Sequence, residues 1–342
     1  MGIPEYLYYI GLSAKKAFSL KNQKKLPCRV ISVGNLTVGG TGKTPATIAL
    51  AGEAKRRGFS PVILTRGYRG SAKGPCFVTK GEGLLLNAAE AGDEPVLMAG
   101  KLPGVPIVKG GNRYEAGLFA LRYFRPQLST PDTGPVFILD DGFQHWRLYR
   151  DKDVLLIDSG DPFGNRALLP FGKLREPLGA MKRADIVVLT QCKGPHRLQA
   201  NKEAEGLIAE IKRYNADAPI FLSGHSIVKA RLLSGEAMSQ DRIKGSKVFC
   251  FCALGEPGSF TSTVASTGAV IAGTMTFRDH YSYSARDMAR IKEAAGKSGA
   301  EWIVTSEKDM IKIRGLDLPE NIIIIEIAIS IDESFYDAAF AF

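Results

Sequence analysis

Residues 33–45 read VGNLTVGGTGKTP and follow the apolar run CRVIS. Gly42, Lys43 and Thr44 are the last three positions of G-x-x-x-x-G-K-[ST], the loop that holds nucleotide phosphates between a strand and a helix. That chemistry needs backbone N–H groups aimed at the phosphates, an ammonium on the β and γ oxygens, and a hydroxyl for Mg²⁺. Gly39, Gly40 and Gly42 bring the backbone freedom, Lys43 the ammonium and Thr44 the hydroxyl, with Val38 and Thr41 completing the loop. Thr37 stands where the usual first glycine would be, at the entrance, away from the phosphates. Pro45 falls in the first helical turn, where its missing N–H costs nothing. A glycine-rich turn with a chance GKT is the competing reading; the strand before and the helix after it speak for the nucleotide loop. Further along, PVFILDDGFQH sets Asp140 at the end of an apolar run with Asp141 beside it. A strand-end carboxylate of this kind is what holds Mg²⁺ in such sites.

Such a loop serves kinases, switches and motors alike. Partition-type ATPases carry a signature lysine before the glycines, and this chain has Val38 there, which argues against that class. A kinase acting on a hydroxyl needs a base or orienting carboxylate. Two turns offer one: Asp93 and Glu94 in AGDEPVLMAG, and Asp279 with His280 in FRDHYSYS, ahead of a helix capped by Ser284.

These groups must be held by a scaffold. Apolar runs expected as strands are CRVISVG, PVILT at 61, VPIV at 105, PVFILD at 135, DVLLID at 153, DIVVLT at 185, PIFLSG at 219, KVFCFC at 247, EWIVT at 301 and NIIIIEI at 321. Helical stretches at 112–124, 199–213 and 285–299 lie between them, which predicts α/β architecture with mostly parallel sheets covered on both faces. A chain of 342 residues favours two domains. The boundary is expected near residue 150, where QHWRLYRDKD interrupts the pattern with charge, giving a nucleotide-binding domain at 1–150 and a second α/β domain at 151–342. The C-terminal strand is left free to return to the first domain.

The net charge of +10 calls for an acidic partner: nucleic acid, an anionic membrane or a phosphorylated substrate. The five cysteines include no CxxC and suit free thiols in a reducing compartment. No run is long enough to span a bilayer, and the start of the chain lacks the marks of a cleavable signal. Near the N-terminus, Leu7, Ile10, Ala14, Ala17 and Phe18 recur at helical spacing beside Lys15, Lys16, Lys21, Lys24 and Lys25. This fits either a helix lying on a membrane surface or one docked on its own domain.

The segments VGNLTVGGTGKTP, LTRGYRG, GDEPVLMA, VFILDDGFQHWRL, LLPFGKLREPL, FRDHYSYS and TSEKDMIKI together resemble the tetraacyldisaccharide 4′-kinases, in the family's order, from about residue 5 to 312. The match at the loop includes Thr37. The resemblance implies two α/β/α sandwich domains, the first P-loop NTPase-like, joined by a short hinge. It implies transfer of phosphate from ATP, with Mg²⁺, to the 4′ hydroxyl of the lipid A disaccharide 1-phosphate at the cytoplasmic face of the bacterial inner membrane. Asp93 would activate that hydroxyl with His280 as partner. Thr44 and Asp140 or Asp141 would contact Mg²⁺, supported by Gln144 and Glu176. Arg66, Tyr68, Arg113, Lys173 and Arg175 become candidates for the substrate's sugar and phosphates, Arg175 foremost. Lys308 would meet a ligand or cap a helix.

Two stretches depart from the family pattern: Arg69 follows TRGY where a smaller residue is expected, and ALGEPGSF matches loosely. The expected partners are the lipid precursor and an anionic membrane surface, with the N-terminal helix as a peripheral anchor and no nucleic acid. The rivals are a nucleotide switch that binds DNA or membrane through its basic surface, and a kinase of a soluble sugar.

Overall fold

The computed structural model describes residues 2–124, 135–192, 202–255, 257–279 and 281–342. The chain forms two compact units, Met1–Gly224 with Ile329–Phe342, and His225–Ala328.

The first unit opens with α1 (Ile3–Lys21), β1 (Arg29–Asn35), α2 (Lys43–Arg56), β2 (Ser60–Thr65) and β3 (Cys76–Thr79). It continues through α3 (Ala88–Ala91), α4 (Asp93–Lys101), β4 (Ile107–Lys109), α5 (Arg113–Phe124) and β5 (Pro135–Asp140). Then come β6 (Lys152–Asp158), β7 (Ile186–Thr190), α6 (Lys202–Tyr214) and the start of β8 (Ile220–Leu232). The hydrogen-bonded order is β8–β7–β6–β1–β5–β2–β4–β3, with parallel pairs except β3 on β4. β1, which leads into the glycine loop, and β5, which carries Asp140, are therefore neighbours. Alternate residues face opposite layers. Ile31, Val33, Val136 and Ile138 pack with Leu50 and Ala54 of α2, whereas Val30, Phe137 and Leu139 pack with Ala116 and Ala120 of α5.

The second unit takes up the rest of β8, then α7 (Gln240–Ile243), β9 (Lys247–Cys252), α8 (Pro257–Ala265), β10 (Val270–Thr276), α9 (Ala285–Lys297), β11 (Trp302–Ser306) and α10 (Glu307–Ile313). With most of β12 (Ile322–Ile331) it makes a parallel set ordered β10–β9–β11–β12. The chain then ends in α11 (Glu333–Phe340), which belongs to the first unit.

All ten expected strands form. Two more, β3 and β10, lack a continuous apolar run and gave no sequence signal; β10 is partly exposed and carries Gly273. The boundary near residue 150 is corrected. The charged stretch there is a staple, not a linker: Val30 N donates to Asp151 Oδ2 (2.8 Å), Arg150 pairs with Asp153, and β6 lies beside β1 in one ladder. The division falls inside β8, at Gly224 and His225, and again inside β12, so the chain crosses between units twice. The C-terminal segment returns because Phe335 and Ala339 of α11 join the core over α2, where Arg57 pairs with Asp337 and Phe59 stacks on Phe340.

Candidate active site

The loop between β1 and α2 adopts the backbone its glycines permit: Gly39 has φ 122° and Gly42, the N-cap of α2, has φ 79°. Both lie in the left-handed region that a Cβ disfavours. No side chain caps α2. Its first N–H groups and the positive end of its dipole are thus presented to an anion. Thr37 is buried and pairs antiparallel with Leu174; Val38 N donates to Lys173 O (2.8 Å) and Arg175 N to Leu36 O (2.7 Å). The residue that departs from the common pattern is therefore a ladder position that fastens the loop's entrance to the segment carrying Arg175.

Lys43 Nζ donates to Gly39 O at 3.3 Å and lies 3.8 Å from Asp141. Burial lowers its pKa, against the pull of the Asp141 carboxylate. Thr44 follows in the first turn of α2 and is buried. Asp140, at the tip of β5, is 4 % exposed and accepts from Thr65 (3.0 Å) and, more weakly, from Thr47 (3.4 Å). Burial, then the charges of Glu94 and Asp141, push its pKa up. Asp141 stands at φ 50° and accepts from Arg175 Nη1 at both oxygens, 2.8 and 2.9 Å. Burial opposes its ionisation, but Lys43 and Arg175 outweigh it and hold the carboxyl below its ordinary range. Two adjacent aspartates thus have opposite tendencies, which is how a site separates roles between like groups.

Arg113, first residue of α5, is a buried cation. Its Nη1 donates to Gly110 O (2.8 Å) and its Nη2 lies 3.4 Å from Asp140 O. Burial brings its pKa down to about 10. The neighbouring His145 Nε2 accepts from Arg113 N at 3.3 Å, and burial among Arg113 and Arg150 lowers that imidazole to about 3, so it stays neutral. Gln144 Nε2 donates to Asn35 O (2.8 Å) and to Glu176 Oε1 (3.0 Å). Glu176 is almost wholly buried, with Arg183 Nη1 on its other oxygen at 2.8 Å. In this structure Gln144 and Glu176 brace the loop and the Arg175 segment.

The structure thus brings together Lys43, Thr44, Asp140, Asp141, Arg113, Gln144, Arg175 and Glu176. The other expected residues are placed around that cluster or outside the described residues. Lys173 pairs with Asp161 on an exposed edge. Tyr68 is exposed, and so is Arg66, whose charge Arg113 still feels. Arg69, the departure from the family pattern, has φ 61°, which explains why a smaller residue suits that turn. Asp93 is the first residue of α4, half-buried after Gly92 at φ 99°. His280 lies outside the described residues. Asp279 is 3.3 Å from Lys308, and Ser284 caps α9 in a reciprocal box with Asp287.

Glu94, offered with Asp93 as a candidate carboxylate, and three residues without an expected role also shape the site. Glu94 is the acid whose charge reaches Lys43 and Asp140. Thr47 and Thr65 hold Asp140, and Arg183 holds Glu176. The β2–β5 pairing puts Thr65 beside Asp140, so strand adjacency is the signal that would have found it.

Helix α1 is docked on its own unit through one face and leaves apolar side chains exposed on the other. Its docked face carries Glu5, which accepts from Leu168 N (2.8 Å), and Tyr8, whose hydroxyl donates to Arg175 O (2.9 Å). Its opposite face leaves Ile3, Leu7, Ile10 and Phe18 exposed, Ile3 at 79 %. No helix of the described residues is long and apolar enough to cross a membrane.

The family model described as tetraacyldisaccharide-1-P 4'-kinase matches residues 5–341. The chain is 39 % identical over 341 residues to the tetraacyldisaccharide 4'-kinase of Syntrophus aciditrophicus, covering 96 % of this chain and 88 % of that one. It is 40 % identical over 292 residues to that of Geobacter metallireducens, covering 85 % and 80 %. Among solved structures, LpxK from Aquifex aeolicus in complex with ATP superposes with a TM-score of 0.73 at 33 % identity, over 98 % of this chain and 96 % of that one. With a P-loop, a strand-end aspartate pair and this match along its length, the chain belongs to the tetraacyldisaccharide-1-P 4'-kinase family.

Proposed function

We propose that this protein is an ATP-dependent kinase that phosphorylates the 4′ hydroxyl of the tetraacyldisaccharide 1-phosphate precursor of lipid A. The observation that carries this is the uncapped N-terminus of α2 beneath a glycine loop, with Lys43 between it and the Asp140–Asp141 pair. The residues suit Mg²⁺: burial and two neighbouring carboxylates press upward on the pKa of Asp140, a burden that a divalent cation would remove. Mg²⁺ takes few protein ligands and completes its shell with phosphates and water. Thr44, Asp140 and Asp141 would hold it, with Gln144 and Glu176 as their support. When bound it neutralises charge on the β and γ phosphates.

The remaining work falls to this chain's own groups. The loop N–H groups and Lys43 orient the triphosphate. Asp93, with His280 as its partner, takes the proton from the 4′ hydroxyl as that oxygen forms its bond to the γ phosphorus. The bond to the β–γ bridging oxygen breaks, and ADP carries that electron pair away. Arg175, already fastened to Asp141, and the buried Arg113 are placed to meet charge on the transferring group or the 1-phosphate. Arg66, Tyr68 and Lys173 serve the sugar and its phosphate at the exposed margin. The acceptor is a lipid, and α1 fits that chemistry: an outward apolar stripe beside lysines suits the surface of an anionic membrane, the cytoplasmic face of the inner membrane.

Incubation with labelled ATP and the disaccharide 1-phosphate lipid is expected to yield a bisphosphorylated product. Hydrolysis of ATP with no labelled lipid would sink this reading. Asp93→Ala should abolish transfer while leaving ATP affinity near wild type. Replacing Ile3, Leu7 and Phe18 by Ser should release the protein from anionic vesicles in a sedimentation assay, without loss of ATP binding.

A further inference from the structure

In a loop that turns its N–H groups toward an anion, the carbonyls turn outward, and each one buried there requires a donor. Two of these carbonyls are met from the end of β7. Thr190 Oγ1 donates to Thr41 O at 3.2 Å, and Gln191 Nε2 donates to Gly40 O at 3.3 Å. The Gln191 amide also donates to Asp158 Oδ2 at 2.8 Å, so both its hydrogens are committed and its plane is fixed. Asp158, buried at the end of β6, is itself held by Gly160 N on its other oxygen (2.9 Å). Gln191 has φ 59°, an uncommon conformation for a residue with a side chain. Such strain persists only where surrounding contacts hold it. Because the strand order is β7–β6–β1–β5, this clamp grips the loop from the side opposite the Asp140–Asp141 pair.

We infer that Gln191, oriented by Asp158, is a positioning residue that sets the phosphate loop to receive the β-phosphate of the nucleotide. It acts through Gly40 and touches neither the reacting atoms nor the metal carboxylates. Its contribution is to ground-state grip, equal for substrate and transition state, so it should appear in affinity and not in maximal turnover. The inference rests on ATP occupying this loop.

The test is nucleotide affinity by calorimetry for ATP, ADP and AMP on wild type, Gln191→Met, Asp158→Ala, Asp158→Asn and the Gln191→Met/Asp158→Ala double variant. Gln191→Met keeps length while removing the donor. It is expected to weaken ATP and ADP alike by about 5- to 10-fold, the worth of one hydrogen bond, with AMP affinity and saturated kcat unchanged. Asp158→Ala should produce the same pattern, the double variant should be no worse than the worse single one, and Asp158→Asn, which keeps an acceptor, should restore most of the loss. Should Gln191→Met fail to fold, as read by circular dichroism, the Asp158 pair carries the same test alone. Unchanged ADP affinity, or an equal loss for AMP, would overturn the inference, the latter by making Gln191 a contact of the nucleoside. Failure of the wild type itself to bind ATP would instead remove the underlying reading.

Discussion

Asp140 in the first unit and Asp309 in the second are both buried carboxylates at or just beyond the C-terminal ends of parallel strands. Asp309 is wholly enclosed and well supplied: Ala253 N and Tyr283 hydroxyl donate to Oδ1, each at 3.1 Å, and Ser306 hydroxyl to Oδ2 at 2.7 Å, with Lys312 3.8 Å away. Those partners tie together the segments that follow β9, β10 and β11. Asp140 is nearly as buried, yet it has one good donor, one weak one, and the like charges of Glu94 and Asp141 around it. Burial raises the pKa of both, but only at Asp140 do neighbouring acids add to the effect. Asp309 is satisfied by the fold; Asp140 is left with fewer donors than its burial demands. Satisfaction, not burial, separates a structural acid from a functional one.

The comparison can be broken most sharply at Asp140. Asp140→Asn should lower turnover by at least about 10³-fold, the scale of losing a group that stabilises the transferring phosphoryl charge, while the melting temperature holds or rises. A fall in stability matching that of the Asp309 variant would end the distinction. Next in size, Asp309→Ala should destabilise the protein by about 3 kcal/mol, since it strips several buried donors of their acceptor. Denaturant unfolding measures it, and affinity for ATP should be spared because the phosphate loop lies in the first unit. Arg175→Lys is a smaller perturbation: the charge stays but the guanidinium's geometry toward Asp141 is lost. Roughly tenfold slower turnover is expected, and a rate equal to wild type would show that charge alone suffices there. Smallest is Asp337→Ala, which removes an exposed partner of Arg57 on α11. Stability should change by less than about 1 kcal/mol, as for other surface ion pairs, and a larger loss in thermal unfolding would make α11 a principal support of α2.

Much of the scaffold was legible because it depends on local pattern. Near-continuous apolar runs such as PVFILD and DVLLID bury both faces of a parallel strand, so they announce themselves without an alignment. The short β3, and β10 with its exposed positions and Gly273, gave no such signal. The domain boundary misled for a related reason. Charge clustered around residue 150 looks like a linker in one dimension, yet Asp151 and Arg150 are engaged with Val30 and Asp153 across strands. Charge marks solvent only where no partner is near, and partners are a property of three dimensions.

At the site, residue type and order by themselves determined the nucleotide loop, its lysine and hydroxyl, the aspartate pair at a strand end, and an amphipathic N-terminal helix. These are short-range demands of backbone geometry, of phosphate charge and of helical periodicity, so they survive in the sequence. Only the tertiary structure decided that Thr37 joins a ladder with Leu174, that Arg175 reaches Asp141, that Glu176 is taken by Arg183, and that α1 docks through Glu5 and Tyr8 with its apolar stripe outward. Each of these joins residues far apart along the chain, and electrostatics and hydrogen bonding act on distance in space, which a linear pattern does not contain.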